Sequence, residues 1–537
     1  MSLRRYGIYI AYPPTEGIAR EGLGRYLAAF LKGAAQRRDV RFVLVCPSWS
    51  HKGLAELLVA ESVPKDSVEI HHPGKAPIIL RAYEAYSAYR RRLRKHTFPQ
   101  WLAAMLRRVG GKAEDRVLQR IASALTPVDL LPLLFGGLLI LLLTPLFLLV
   151  ALVYFLARAM WRATAKLARP LAQTNTRMQR TLAHPEDDTF VLRMYKLMEQ
   201  AESKRMLKVI EGLTNVRAWY CPTAFWPSFH KIPGPRLMCV PDVVLHDFAV
   251  DFSQLGADRF LQTFVEVESA IRSASNFVTY SDAVKWDTLV DRYAVNAQDV
   301  AVVRHAPIDL KPHIVVSGFD ESAAVSRRYC EWQFSQALGK SDNPGYAKDF
   351  PNRSVKFLFY ASQFRPNKNL IMLLRAYECL LRQRRIVHKL VLTGKPSVLP
   401  AVEQFIREHA LRNDVLCLHG LSSEELAACY KLADLAVNPS LSEGGCPFTF
   451  AEALSVGTPV VMSRIAVTEE VLTDPVLQQM SFFDPHDWND IANRIEWALC
   501  HREELLSVQL ATYETLAKRS WGDVVGEHID ILDRISA

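Results

Sequence analysis

"PSLSEGGCPFTFAEALSVGTPVVMS", residues 439–463, holds a full architectural unit in 25 residues. An apolar run ends at Ser440, and a loop with Glu443, Gly444 and Gly445 follows. A helical segment opens near Thr449 and carries Glu452, and Gly457 with Pro459 then leads into a second apolar run, VVMS. Strand, loop, helix, turn and strand in this order predict two parallel strands joined by a helical crossover. The loop also has a chemistry. Carboxylates accept hydrogen bonds from sugar and ribose hydroxyls, while glycines and a helix N-terminus suit phosphate, so both ends of a nucleotide sugar could be held here.

The same rhythm extends outward. KFLFYAS (356–362), KLVLTG (389–394), VLCLHG (415–420), LAVNPS (435–440), TPVVMS (458–463) and MSFFDP (480–485) are each read as strands with a helical segment after them. An earlier series runs through YGIYIAY (6–12), RFVLVCP (41–47) and SVEIHHP (67–73), with helical stretches at 21–36 and 51–61. It resumes near 217 with RAWYCPTAFW, RLMCVPDVVLH, a helix from Phe260 to Ser273, NFVTYS and VAVVRHAP. Continuous apolar strands alternating with helices predict two doubly wound, Rossmann-like α/β domains, with ligands at the carboxyl ends of the strands and in the cleft. The first domain is expected over 1–79 and 215–345 and the second over 346–515, with the polar stretch 335–352 as linker and 80–214 as an insertion.

Composition agrees with an enzyme of several domains: 537 residues, 50% hydrophobic. The nine cysteines form no Cys-x-x-Cys pair, which argues against a disulfide framework or a zinc knuckle and for reduced thiols in cytoplasm. The apolar run from Tyr6 to Tyr12 is too short for a signal-peptide core. Of the net charge of +9, residues 81–170 supply an excess of +11, fifteen Lys and Arg against four Asp and Glu. Nucleic acid is therefore not an expected partner. The charge flanks the uncharged apolar segment 130–157, as it would beside anionic lipid headgroups.

That segment is 28 residues long, ~42 Å as a helix against about 30 Å of hydrocarbon, and Pro145 sits near its middle. A single crossing would put the two parts of the first sheet on opposite faces of a bilayer. A hairpin or in-plane anchor is expected instead, with Tyr83, Tyr86, Tyr89, Trp101 and Trp161 at headgroup level and the catalytic domains at the cytoplasmic face. A greasy internal helix pair or an oligomer interface is the competing reading.

Three further stretches carry candidate chemistry. In "EGIAREGLGRYLAAF" (16–30), Gly22 and Gly24 enter a helix where backbone amides could meet an anion, or simply form a tight turn. In "PDVVLHDF" (241–248) a strand is read to end at His246 and Asp247, and His246 could bond a substrate hydroxyl or be structural. In "ASQFRPNKNL" (361–370), Arg365 and Lys368 sit at a turn, where two cations would hold a diphosphate or merely meet solvent.

Together with "YSDAVK", "LSSEELAACYKLADLAVNPS" and the terminal "SW", these stretches resemble glycosyltransferase family 4. Its members have the two-domain GT-B fold and transfer sugars from nucleotide donors with retention. The resemblance implies that Glu452 binds the donor ribose, Glu443 the transferred sugar, Lys368 and Arg365 the diphosphate, and His246 the sugar or its phosphate side. It extends the donor-binding set to Gly22, Gly24, Leu421, Gly444, Gly445 and Thr449, and makes 516–537 a helix that crosses back to the first domain. Two departures stand out: eight residues separate Glu443 from Glu452 where the family has seven, and Gln363 stands where the family's arginine would be.

No Asp-x-Asp occurs, so no metal and no other cofactor is expected beyond a GDP- or UDP-linked donor substrate. The run "EGGCPFTFAEALSVGTPVV" looks more like mannosyltransferases than glucosyltransferases. An insertion held on lipid within the acceptor domain suggests a lipid-linked or surface-polysaccharide glycan as acceptor. A catalytically silent membrane scaffold and a sugar-nucleotide epimerase are the rival functions.

Overall fold

The computed structural model describes residues 3–14, 22–78, 80–81, 189–343, 346 and 355–537. The segment 130–157 and the aromatic residues expected at headgroup level lie outside the described residues. Among the described residues no helix is long and apolar enough to cross a membrane. The chain divides into two compact units, Met1–Gly74 with Tyr195–Ala537, and Lys75–Met194. Everything that follows concerns the first.

Strands β1 (Arg4–Tyr9), β2 (Val40–Val45), β3 (Val68–His71), β4 (Trp219–Cys221), β5 (Arg236–Cys239), β6 (Phe277–Thr279) and β7 (Val300–Val302) form one parallel sheet in the order β3-β2-β1-β4-β5-β6-β7. A second parallel sheet runs β10-β9-β8-β11-β12-β13, from β8 (Phe357–Tyr360), β9 (Lys389–Thr393), β10 (Val415–Leu418), β11 (Leu435–Asn438), β12 (Val460–Ser463) and β13 (Phe482–Phe483). FLFY, VLCL, LAVN and VVMS are buried at every position, because helices cover both faces of a parallel sheet. The helix Leu370–Arg382 shows the matching stripe, with Leu370, Leu373, Leu374, Tyr377 and Leu380 buried at helical spacing.

Strand order reverses between β1 and β4 and between β8 and β11. At such a switch point the loops after the two strands diverge to opposite faces and leave a crevice. The loop after β8 carries Arg365 and Lys368, and the loop after β11 carries Glu443 and its glycines, so topology alone brings these motifs together.

Several element boundaries differ from the sequence expectation. Strand β5 stops at Cys239 rather than His246, because Pro241 has no N–H for the ladder and the chain turns into a short helix, Val244–Asp247. The following helix spans Ala249–Ser273, eleven residues longer at its start than expected from Phe260. The polar stretch read as a linker from Ser335 begins inside a helix, Ser322–Leu338, which buries Gln333, Ala337 and Leu338.

The last helix, Trp521–Ser536, starts with a capping box between Ser520 and Asp523 and lies on the first domain. Asp533 accepts from Tyr6 and Arg4 of β1, and the Trp521 indole donates to the Pro307 carbonyl at 3.1 Å. His528 on this helix is fully buried, with its ring edge-on to Phe30 and Tyr220 at 5.2 Å from each. Its Nδ1 lies 2.8 Å from the Val524 carbonyl, and its Nε2 has no partner among the described residues. Burial therefore pushes its pKa down from 6.5 to about 4.

The unfolded chain takes up this proton near pH 6.5 and the folded chain only near 4, so His528 leaves stability intact above 6.5 and erodes it as pH falls through that window. The loss amounts to about 3 kcal/mol by pH 4. Denaturant titrations of the wild type and His528→Phe between pH 7.5 and 4.5 should show a shallower decline in the variant. Parallel declines would contradict this assignment.

Candidate donor site

Lys368 ends a short 3-10 turn, Pro366–Lys368, and Asn369 adopts the left-handed conformation (φ 54°) that feeds the helix from Leu370. Asn367 is buried and ties this turn to the other loop: the Leu441 amide donates to its carbonyl at 2.8 Å, and its Nδ2 donates to the Ser442 carbonyl at 3.2 Å. The stitching places the Lys368 ammonium 2.6 Å from the Glu443 carboxylate. Burial alone would lower the Lys368 pKa, but Glu443 together with Tyr360 and Asp242 outweighs it and the net shift is upward, so a fixed positive charge stands at the crevice. Arg365 is exposed at the start of the same turn.

Gly444 and Gly445 press against the first domain. A Cβ on Gly444 would lie 2.0 Å from the Pro241 carbonyl oxygen, and one on Gly445 would lie 2.9 Å from Tyr280 Cβ and 3.1 Å from His305 Nε2. Only glycine permits so close an approach of two backbones. The Ser281 hydroxyl donates to the Gly444 carbonyl at 3.0 Å. Nearby, Glu470 accepts from the amides of Asp282 and Ala283 at 3.0 Å each and pairs with Arg304 at 2.8 Å. Burial opposes the Glu470 charge, yet these donors hold its pKa below the usual carboxylate range.

The helix Phe448–Ser455 carries Thr449 and Glu452, both buried. Glu452 is 2% exposed, and its carboxylate is paired with the Arg25 guanidinium from the helix Gly22–Ala35 of the first domain. Gly24 is buried on that helix, whereas a Cβ on Gly22 would meet nothing within 4 Å. Leu421 packs half-buried against the second domain's core.

His246 is not brought to this group. It lies on the short helix past β5, with its ring 5.1 Å from Phe264 and 6.0 Å from Tyr293, and its neighbour Asp247 pairs with Arg292 at 2.5 Å. The residue that does reach the crevice from this segment is Asp242. Its carboxyl is pushed above the usual range by burial, opposed by Lys368, reinforced by Glu443 and opposed again by Arg365. The sequence signal was present, since Pro241 marks the true end of β5, but the apolar run VVL concealed it. Arg25 followed directly on the quoted glycines, yet nothing local pairs it with a residue 427 positions away.

A separate cavity of about 480 Å³ opens behind the glycine pair, lined by Arg304, His305, Cys446, Phe448 and Arg519 among others. Burial pushes the His305 pKa down from 6.5 to about 4, so this wall is neutral imidazole at neutral pH. Lys368, Glu443 and Glu452 do not line the cavity, which is thus distinct from the crevice at the switch points.

Two parallel doubly wound sheets, with a cation, carboxylates and a glycine loop at the switch point, define the class of α/β folds that bind ligands at the carboxyl ends of their strands. Residues 347–513 match the family described as Glycosyl transferases group 1, so the second domain is a domain of that kind. The chain is 28% identical over 192 residues to the serotype-specific mannosyltransferase WbdA of Escherichia coli, covering 35% of this chain and 23% of that protein. It is 34% identical over 145 residues to the O-antigen chain mannosyltransferase B of Escherichia coli, covering 26% of this chain and 35% of that one. The chain thus spans well under half the length of either relative. Among solved structures it resembles Anabaena HepE in complex with UDP and glucose, with a TM-score of 0.52, 13% identity, and coverage of 99% of this chain and 100% of that one. That likeness concerns the fold.

Proposed function

We propose that this chain is a retaining glycosyltransferase of family 4 that moves a hexose, mannose first among them, from a GDP- or UDP-linked donor to a glycan acceptor. The observation that carries the reading is the Lys368–Glu443 pair at the β8/β11 switch point, inside a domain of the group 1 family. In this reading Lys368 and Arg365 neutralise the diphosphate as it departs, electrostatic help delivered in a site already organised for it. Glu443 accepts from a hydroxyl of the transferred sugar, and Glu452 from the ribose. The ribose must then share Glu452 with Arg25, which ties donor binding to the contact between the two domains. Gly444, Gly445 and Thr449 would border the phosphate path, and Gly22 and Gly24 begin the helix whose Arg25 reaches Glu452 from the first domain.

The mannosyl preference draws support from the names of the two bacterial relatives. A lipid-linked acceptor at the cytoplasmic face of a membrane is proposed from the apolar, base-flanked segment 130–157 alone.

Purified full-length protein incubated with GDP-mannose, UDP-glucose, UDP-galactose and UDP-N-acetylglucosamine, with lipid-linked and free glycans as acceptors, tests the proposal by mass spectrometry of the products. Transfer from GDP-mannose to the lipid-linked glycan is the expected result, unchanged when EDTA is present. Conversion of a nucleotide sugar to its epimer without acceptor, or no product from any donor, would overturn it, and loss of transfer in EDTA would overturn its metal-free form.

A further inference from the structure

Of four carboxylates at or near the crevice, three already hold cations. Glu443 is paired with Lys368, Glu452 with Arg25 and Asp247 with Arg292. The fourth, Asp242, makes no hydrogen bond and no ion pair among the described residues. Its position is nevertheless closely defined. Val240 still donates to the Val278 carbonyl at 2.9 Å, so the chain leaves β5 in register. The next residue, Pro241, lays its carbonyl on Gly444, directly beside Glu443. Asp242 therefore follows at the first domain's edge of the crevice, within electrostatic reach of Lys368, Glu443 and Arg365 of the second domain and of Asp247 along its own segment. A half-buried carboxylate with no donor among the described residues is open to one from a ligand.

Resting on the proposed glycosyl transfer, we infer that Asp242 is the residue by which the first domain holds the attacking hydroxyl of the acceptor. The carboxylate accepts a hydrogen bond from that hydroxyl and aims its oxygen at the anomeric carbon. The bond from the acceptor oxygen to this carbon forms as the bond to the diphosphate oxygen breaks, and the single hydroxyl proton, held at Asp242, is handed on to the departing diphosphate oxygen. Asp242 positions the nucleophile without keeping the proton. Its placement on the acceptor side of the crevice separates it from Lys368, Arg365 and Glu443, which belong to the domain that binds the donor.

The test uses full-length wild type, Asp242→Asn and Asp242→Ala, with thermal melts to verify folding. Initial rates are measured against varied donor and varied acceptor, together with donor hydrolysis in the absence of acceptor. Loss of a hydrogen bond to a charged group predicts a fall in kcat/KM for the acceptor of about tenfold to a hundredfold in the alanine variant and less in the asparagine variant, which keeps one acceptor oxygen. Donor KM and acceptor-free hydrolysis should stay within about twofold of wild type. A raised donor KM with unchanged acceptor kinetics, an equal loss of transfer and hydrolysis, or no change at all would each overturn the inference while leaving the transferase reading intact. Absence of transfer by the wild-type chain removes both.

Discussion

Replacing Lys368 by methionine is expected to lower turnover by about 10²–10³-fold, the loss that follows removal of one fixed electrostatic group from a developing anion. Methionine keeps an unbranched, flexible stem only one atom shorter, so the effect is mainly that of the charge. Two consequences must be told apart. The ammonium is proposed to neutralise the leaving diphosphate, and it also sits 2.6 Å from Glu443, whose carboxylate is left without its partner in the variant. Both side chains are a little under one-fifth exposed, so the unpaired carboxylate costs less than the 3–5 kcal/mol of a fully buried broken pair, about 1–2 kcal/mol. Converting Glu443 to glutamine in the same chain removes that charge. The double variant Lys368→Met/Glu443→Gln should therefore regain stability in thermal denaturation while its turnover stays low. Stopped assays of product formed per minute, set beside the melting curves, separate the two effects. Turnover of Lys368→Met within tenfold of wild type would mean that the diphosphate is stabilised elsewhere.

The paired sheets were legible because most strands announce themselves by a continuous apolar run, the pattern that parallel strands covered on both faces require, with the edge strand β3, VEIH, as an exception. Lys368 and Glu443 were each legible as candidate site residues, but their pairing was not: it follows from the strand order of the folded chain, in which β8 and β11 are neighbours across a reversal and each motif lies on the loop after one of them. What the chain concealed was of two kinds. The run VPDVVLH reads as one strand to His246, yet Pro241 ends the ladder, and Val243, Val244 and Leu245 are buried by a turn and a short helix instead. Apolar content reports burial and does not distinguish a strand from a buried turn. His246 consequently packs on Phe264, and the crevice receives Asp242. Contacts between the domains were the second kind. Arg25 with Glu452, Glu470 with the amides of Asp282 and Ala283, and Gly444 with Pro241 join residues with no shared periodicity, so only the folded chain reveals them.

The Gly444 contact leads to the second large effect. A methyl group at this position would lie 2.0 Å from the Pro241 carbonyl oxygen and 2.5 Å from its carbon, both backbone atoms that no rotamer change can move aside. Gly444→Ala must therefore either push the first domain off the second or displace the loop that carries Glu443. Either shift spoils the alignment of donor and acceptor groups, and a misplacement of about 1 Å costs on the order of 10²-fold in rate. The same substitution at Gly445 should be milder, because the nearest atoms it meets, Tyr280 Cβ at 2.9 Å and His305 Nε2 at 3.1 Å, are side-chain atoms farther off than the Pro241 carbonyl is from Gly444. Gly53→Ala supplies the control, since a Cβ there meets nothing within 4 Å in the helix His51–Ala60 and alanine favours helix by ~1 kcal/mol. The expected order of transfer rates is Gly53→Ala equal to wild type, Gly445→Ala reduced and Gly444→Ala nearly silent. Because the altered contact lies between the two domains and outside the hydrogen-bonded strands themselves, melting temperatures should vary much less than the rates. Equal rates for the two loop variants would show that the backbone approach at Pro241 plays no part in bringing the substrates together.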